Sequence, residues 1–258
     1  MNESKSKPLV RSACALDKFD GPRACGKYEL AGVLDLANLV MRVLATPSDT
    51  SAIWPTIGFD WSHVFNHENL DNIRLIADEE QIVSTVSIYP SVVRTPDGDI
   101  RVAGICCFVT HPHYRRLGLG GAVLQDAHAK MRADGYHIAL LSTDVPNYYR
   151  RFGWENGGRE LNFVFDRGNI FVLPDQNVFE VTEEWRSYAT ELKSLRDMEP
   201  IAAIRTQEVF NLLAERKLGQ LFVAKRGGRV VAYAGLYGGH DSERGGGFGN
   251  VGGRHGRH

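Results

Sequence analysis

The stretch from Ile100 to Gly121 constrains this chain more than any other. Ile100-Arg-Val-Ala-Gly-Ile-Cys-Cys-Phe-Val109 is apolar on both alternating faces after Arg101, which predicts a strand covered by helices on both sides. A polar turn follows at once, His111-Pro-His-Tyr-Arg-Arg-Leu-Gly-Leu-Gly-Gly121. Leu119, Val123, Leu124, Ala127 and Met131 then mark one face of a helix ending near Gly135. A strand that enters a helix through glycines presents several backbone N–H groups at the positive end of the helix dipole, where a pyrophosphate can be cradled. Arg115 and Arg116 place charge beside it. The turn is not a Walker loop, because no Gly-Lys-Ser/Thr is present, and it is not a full dinucleotide fingerprint, since only Gly118-x-Gly120 is there.

The flanking periodicities build a mixed fold around this unit. Leu30, Val33, Leu34, Ala37, Val40, Met41 and Leu44 trace a helix face that ends before Pro47. Residues 47–72, with Trp54, Phe59, Trp61 and Phe65, read as a long loop with a short helical turn. Ile73 to Ala77 and Ile82 to Tyr89 flank a charged turn as an antiparallel hairpin, and Pro96-Asp97-Gly98 turns the chain into the strand at Ile100. Ile138 to Thr143 predicts another buried strand, Asn147 to Phe152 a short helix closed by Gly153, and Leu161 to Asp166 a further strand. This order is that of an α+β (mixed α/β) sandwich.

Beyond Pro174 the pattern begins again. Trp185, Tyr188, Leu192 and Leu195 mark one helix face and Val209, Phe210 and Leu213 another. Leu221 to Tyr237 then lays without a gap over Ile73 to Tyr89, a weak internal repeat, although two unrelated hairpins would show similar patterning. The expected organisation is a flexible lead-in over 1–26 with at most one short strand, a first domain over 27–168, a partial second lobe over 177–237 and a disordered glycine-rich tail over 238–258. His240, His255 and His258 lie in that tail without cysteine or carboxylate spacing, so no metal site is expected.

Composition excludes several classes. Thirty basic and 31 acidic side chains leave a net charge of -1 and no field with which to hold a polyanion, so nucleic acid is not an expected partner. Four cysteines, with Cys106 and Cys107 adjacent, make no disulfide framework. Strand neighbours point to opposite faces, and the pair reads as core in a reducing cytoplasm. The N-terminus lacks an apolar signal region, and no stretch approaches the roughly 18 apolar residues of a membrane span, so neither export nor a membrane is expected.

Arg115-x-x-Gly118-x-Gly120 resembles the Arg/Gln-x-x-Gly-x-Gly/Ala signature of the GCN5-related N-acetyltransferase (GNAT) superfamily. Asn147-Tyr-Tyr-Arg-Arg-Phe-Gly-Trp154 resembles the same superfamily's Tyr-x-x-x-Gly-aromatic ending. The resemblance covers about residues 28 to 168 and is nearest to acetyltransferases of the enhanced-intracellular-survival type, whose second acetyltransferase-like domain the repeat would match. It implies a mostly antiparallel central sheet flanked by helices, acetyl-CoA as cosubstrate, and a small-molecule or peptide amine as acceptor. Backbone groups of Phe108, Val109 and Thr110 would hold the pantetheine. Arg116, Leu117, Gly118, Leu119, Gly120 and Gly121 would carry the pyrophosphate, with Arg115 beside them.

The resemblance also makes Tyr149 the acid that protonates the departing thiolate, and a phenol of pKa about 10 is reasonably matched to a thiol of about 8.5. His111, His63, His67 and Glu68 are open candidates for taking the amine's proton. The survival-type enzymes place the terminal carboxylate of a third, sterol-carrier-like domain in their active site. These 258 residues hold no counterpart, so aminoglycoside acetylation does not follow from the resemblance. The rival expectation is a non-catalytic acetyl-CoA-binding sensor or regulatory module, and a homo-oligomer stays open for either.

Overall fold

A computed structural model describes residues 13–43, 56–157, 179–215, 219–237 and 251–253, and they divide into two compact units. The first comprises residues 1–91 and 101–144 and the second residues 92–100 and 145–258. The division falls at 144, within the first domain expected over 27–168, and both the end of that domain and the expected strand at 161–166 lie outside the described residues.

The first unit is built on a sheet in the order β1 (Asp20–Ala24), β2 (Ile73–Asp78), β3 (Gln81–Thr95), β4 (Gly98–Thr110), β5 (Ile138–Leu140). β1 and β2 pair antiparallel, as do β2 and β3, whereas β5 runs parallel to β4. The sheet is therefore mostly antiparallel and is flanked by helices, as expected. On one face α1 (Leu30–Asn38) and the short α2 (Ile57–Asp60) bury Val33, Leu36, Ala37 and Ile57 against Leu75, Ala77, Cys107 and Val109. α3 (Leu119–Ala133) packs on β1 and β2, and its buried residues are the five that the periodicity marks, Leu119, Val123, Leu124, Ala127 and Met131.

Three expectations need correction and one is made definite. The lead-in, expected to be loose with at most one short strand, contributes that strand as β1, which pairs with the edge of β2, and Cys25 behind it is 5% exposed. Asp20-Gly-Pro-Arg-Ala24 carries no alternating apolar signal and Pro22 suits an edge strand, so backbone pairing alone places it there. Burial on both faces, expected of residues 100–109, falls on β3, where Ile82 through Ile88 are all buried. β3 is the middle strand, whereas β4 alternates buried with half-buried positions from Ala103 to Thr110. The strand expected at 138–143 stops at Leu140, and Ile138 and Leu140 are 46% and 53% exposed. Cys106 and Cys107 do not point to opposite faces of an ideal strand: Cys107 has φ +47°, and both pack against the same cluster. The neighbouring Cys107 thiol and burial together push the Cys106 thiol well above its ordinary range.

The second unit has α4 (Pro146–Arg150), β6 (Glu180–Thr182), α5 (Ala189–Asp197), β7 (Ala202–Ala203), α6 (Gln207–Ala214), β8 (Gly219–Arg226), β9 (Arg229–Tyr237) and β10 (Val251–Gly253). Its sheet runs β10-β9-β8-β6, and Trp185, Leu192, Leu195, Phe210, Val223 and Tyr233 form its core. The β8–β9 hairpin reproduces β2–β3 in detail. Asp78 faces Gln81 and Arg226 faces Arg229 across two-residue turns, and a register shift falls between Ile76 and Ala77 in one and between Ala224 and Lys225 in the other. These positions coincide in the sequence overlay. β10 departs from the disorder expected of the tail. Val251 faces Ala234 on the free side of β9, a pairing that backbone groups make without apolar side chains. The three tail histidines lie outside the described residues, among which no group of three or more metal-ligating side chains occurs. No helix among the described residues is long and apolar enough to cross a membrane.

Candidate active site

The site begins beyond the short pairing of β4 with β5, which covers Val102, Ala103 and Gly104. Cys107, at φ +47°, interrupts the pleat beyond that pairing, in a region that non-glycine residues rarely enter and that marks functional sites when the surroundings enforce it. Ser84, fully buried on β3, holds the end of β4. Its Oγ donates to the Val109 carbonyl at 3.3 Å and lies 2.9 Å from Thr110 Oγ1.

The chain then turns through a short 3-10 segment, Pro112–Tyr114. His111 N–H donates to Val83 O at 2.9 Å, and Tyr114 donates its hydroxyl to Asp78 Oδ2 at 2.8 Å, which ties the turn to the tip of the β2–β3 hairpin. The Asp78 carboxylate pushes the Tyr114 hydroxyl above its ordinary value. Arg115, Arg116, Leu117 and Gly118 are exposed, Arg115 Nε donates to Thr110 O at 3.4 Å, and Arg116 and Gly118 have φ of +67° and +87°.

Gly118 is the N-cap of α3 and has no side chain to close it. Thr56, Asn66 and Thr206 cap their own helices, but here the first-turn N–H groups of Leu119, Gly120 and Gly121 are left without a side-chain acceptor. No acidic residue occupies this first turn. Bare donors, the helix dipole and two neighbouring arginines are a combination that can receive a polyphosphate. Phe108 through Gly121 thus form one continuous segment of the first unit, in which Arg115 through Gly118 are exposed while Val109 and Leu119 are buried.

Tyr149 falls in the second unit. It is half-buried on α4, its carbonyl accepts from Phe152 N at 2.8 Å, and its ring lies edge-on to Tyr148 and Trp154 at 5.4 and 6.2 Å. Tyr148 is also half-buried, and burial raises its hydroxyl above the ordinary range. Gly153, at φ +85°, closes the turn after α4.

The candidate bases separate. His111 caps its 3-10 segment, Nδ1 accepting from His113 N at 3.4 Å, and it lines a cavity of about 290 Å³ with Asp35 and Glu80. His63 stacks on Trp61 and meets Tyr89 edge-on, whereas His67 and Glu68 are exposed on the 3-10 segment His67–Asn72. Sequence reasoning missed Ser84 and Asp78 as the anchors of the loop. Ser84-Thr85-x-Ser87, polar residues in an otherwise apolar strand, was the available signal.

A family model described as an acetyltransferase (GNAT) domain matches residues 22–157. A search of curated proteins by sequence found no match. Among solved structures, the fold is similar to a conserved protein of unknown function from Enterococcus faecalis V583, titled a probable N-acyltransferase. The TM-score is 0.61 at 15% identity, over 84% of this chain and 55% of that one. It is similar also to a GCN5-related N-acetyltransferase from Kribbella flavida, with TM-score 0.58 and 15% identity over 87% of this chain and 55% of that one. A third similar structure is Eis1 from Mycobacterium abscessus, with TM-score 0.56 and 12% identity over 87% of this chain and 54% of that one. At such identities the likeness is one of fold, and the chain spans little more than half the length of each.

Proposed function

The chain belongs to the GNAT acetyltransferase family, and from that premise we propose that it transfers an acetyl group from acetyl-CoA directly to a primary amine in a ternary complex. The observation that carries this reading is the bare N-terminus of α3, with Arg115, Arg116 and left-handed Gly118, at the end of a strand that β5 accompanies only from Val102 to Gly104. Arg116 through Gly121 hold the pyrophosphate, with Arg115 adding charge. Backbone groups of Phe108, Val109 and Thr110 hold the pantetheine amides as an added strand. One N–H next to the break at Cys107 serves the oxyanion.

Acetyl-CoA supplies an activated thioester. The uncharged amine attacks its carbonyl carbon, the C–N bond forms as the C–S bond breaks, and Tyr149 protonates the thiolate. The surplus proton of the amine is released to solvent, from which the Tyr149 phenolate recovers its own. No covalent enzyme intermediate is needed, and the chemistry calls on no metal. Residues 177–237 form the partial second GNAT-like lobe in this reading, which the matching hairpin registers support. The reading places the protein in the cytoplasm.

Calorimetric titration with acetyl-CoA tests the proposal. The chain should bind saturably and an Arg116→Glu variant should lose that binding; a folded chain that binds no acetyl-CoA would remove the transferase reading. Thiol release with a panel of amines separates an enzyme from a coenzyme sensor. Tyr149→Phe should lower turnover by about 10²–10⁴-fold with little change in acetyl-CoA affinity, and wild-type turnover would exclude Tyr149 as the acid.

A further inference from the structure

The second unit contains a cavity that acetyl transfer does not use. Its volume is about 70 Å³, and Arg196, Arg205, Phe210, Leu213, Leu221 and Tyr233 line it. Phe210 and Tyr233 belong to the core of the unit, so these walls are fixed by packing. Arg196, near the end of α5, is half-buried, and its Nε is shielded from solvent with no hydrogen-bond acceptor. The nearest carboxylate along the chain, Asp197, is engaged by Lys193 at 2.5 Å. Among the described residues no acid neutralises Arg196.

A guanidinium held partly out of water without an anion is unfavourable, because its desolvation is not offset. The planar fork matches the two oxygens of a carboxylate, forming paired charge-assisted hydrogen bonds. Arg205 is the other charged lining residue, and the walls formed by Phe210, Leu213 and Leu221 are apolar, which suits an alkyl chain. Phosphate would need donors for its additional oxygens on every side, and the walls at Phe210, Leu213 and Leu221 offer none. Allowing roughly 10–15 Å³ per water-sized probe, the space holds about five to seven such positions, which is the scale of a four-carbon acid.

From the cavity and its unpaired guanidinium, we propose that the second unit binds a short-chain monocarboxylate, its carboxylate on Arg196 and its alkyl group against Phe210, Leu213 and Leu221.

The test is an NMR titration of the full ¹⁵N-labelled chain with butyrate, butyramide and inorganic phosphate at matched ionic strength. It follows the arginine Nε–H signal that disappears in Arg196→Met. Butyrate should shift that signal saturably at millimolar concentrations, and butyramide should not. Arg196→Met should weaken butyrate binding, read at the remaining amide signals of the cavity, by about 10-fold or more. Leu213→Phe, which fills the cavity and keeps the charge, should also lose butyrate, so the proposal stays testable if Arg196→Met fails to fold. Equal binding of butyrate by folded variants and wild type would overturn the proposal, as would equal binding of butyramide or tighter binding of phosphate. No saturable shift in the wild-type chain would do the same.

Discussion

Replacing Gly118 with alanine isolates the backbone conformation on which the candidate site rests. Gly118 has φ +87°, and a Cβ placed there meets no atom within 4 Å, so alanine would clash with nothing. The whole effect must therefore come from holding an L-residue in the left-handed region, a cost of about 1–2 kcal/mol. With a urea m-value of about 2 kcal/mol/M, the denaturation midpoint should fall by about 0.5–1 M. Gly118→Asn, which tolerates this region better, should lose less than half as much. The assay is urea unfolding followed by circular dichroism, run beside an acetyl-CoA titration. If the loop instead relaxes to negative φ, stability returns but the α3 donors are reoriented and acetyl-CoA affinity falls. An alanine variant with both the stability and the acetyl-CoA affinity of the wild type would refute the argument, because neither the conformation nor its role would then matter.

Three further outcomes are expected. Ser84→Ala should destabilise the chain by about 1 kcal/mol and weaken acetyl-CoA binding with an unchanged dichroism spectrum, since it frees the end of β4 held at Val109 and Thr110; unchanged affinity would deny Ser84 its anchoring role. The Arg23 guanidinium holds the Glu29 carboxyl below its ordinary 4.5, so its contribution is present above about pH 4.5 and fades as pH falls through the lower folded value. Glu29→Gln should accordingly flatten the loss of stability in that acidic window, and acid unfolding curves that superimpose would contradict the pairing. Leu124, 0% exposed on α3, should cost about 2–5 kcal/mol when cut to alanine, and a loss below about 1 kcal/mol by urea unfolding would mean that α3 does not pack on the sheet as described.

Much of the first unit was legible because its signals are local. The spacing of Leu119, Val123, Leu124, Ala127 and Met131 states which side of α3 is buried, since helical geometry alone puts those residues on one face. The same holds for the β2–β3 hairpin, where a charged pair between apolar runs needs no distant information to form a turn. The glycine loop was legible for a related reason: Gly118 and Gly120 just before a helical period state that the backbone turns there and leaves N–H groups uncovered.

Other features depend on what lies across the fold. β1 has no pattern of its own and exists because β2 offers an unpaired edge. Ile138 and Leu140 look like core residues, but the length of β5 and its place beside only three residues of β4 leave them exposed. The positive φ of Cys107, and with it the packing of two adjacent cysteines on one cluster, cannot be read from strand alternation, because alternation assumes the regular pleat that this residue breaks. Arg196 shows the same division most plainly: its charge is written in the sequence, but that no acid among the described residues pairs with it emerges only once Lys193 has taken Asp197 and the core has enclosed its Nε. Periodicity determines which side of an element is apolar, whereas pairing, burial and charge balance are set by neighbours far along the chain.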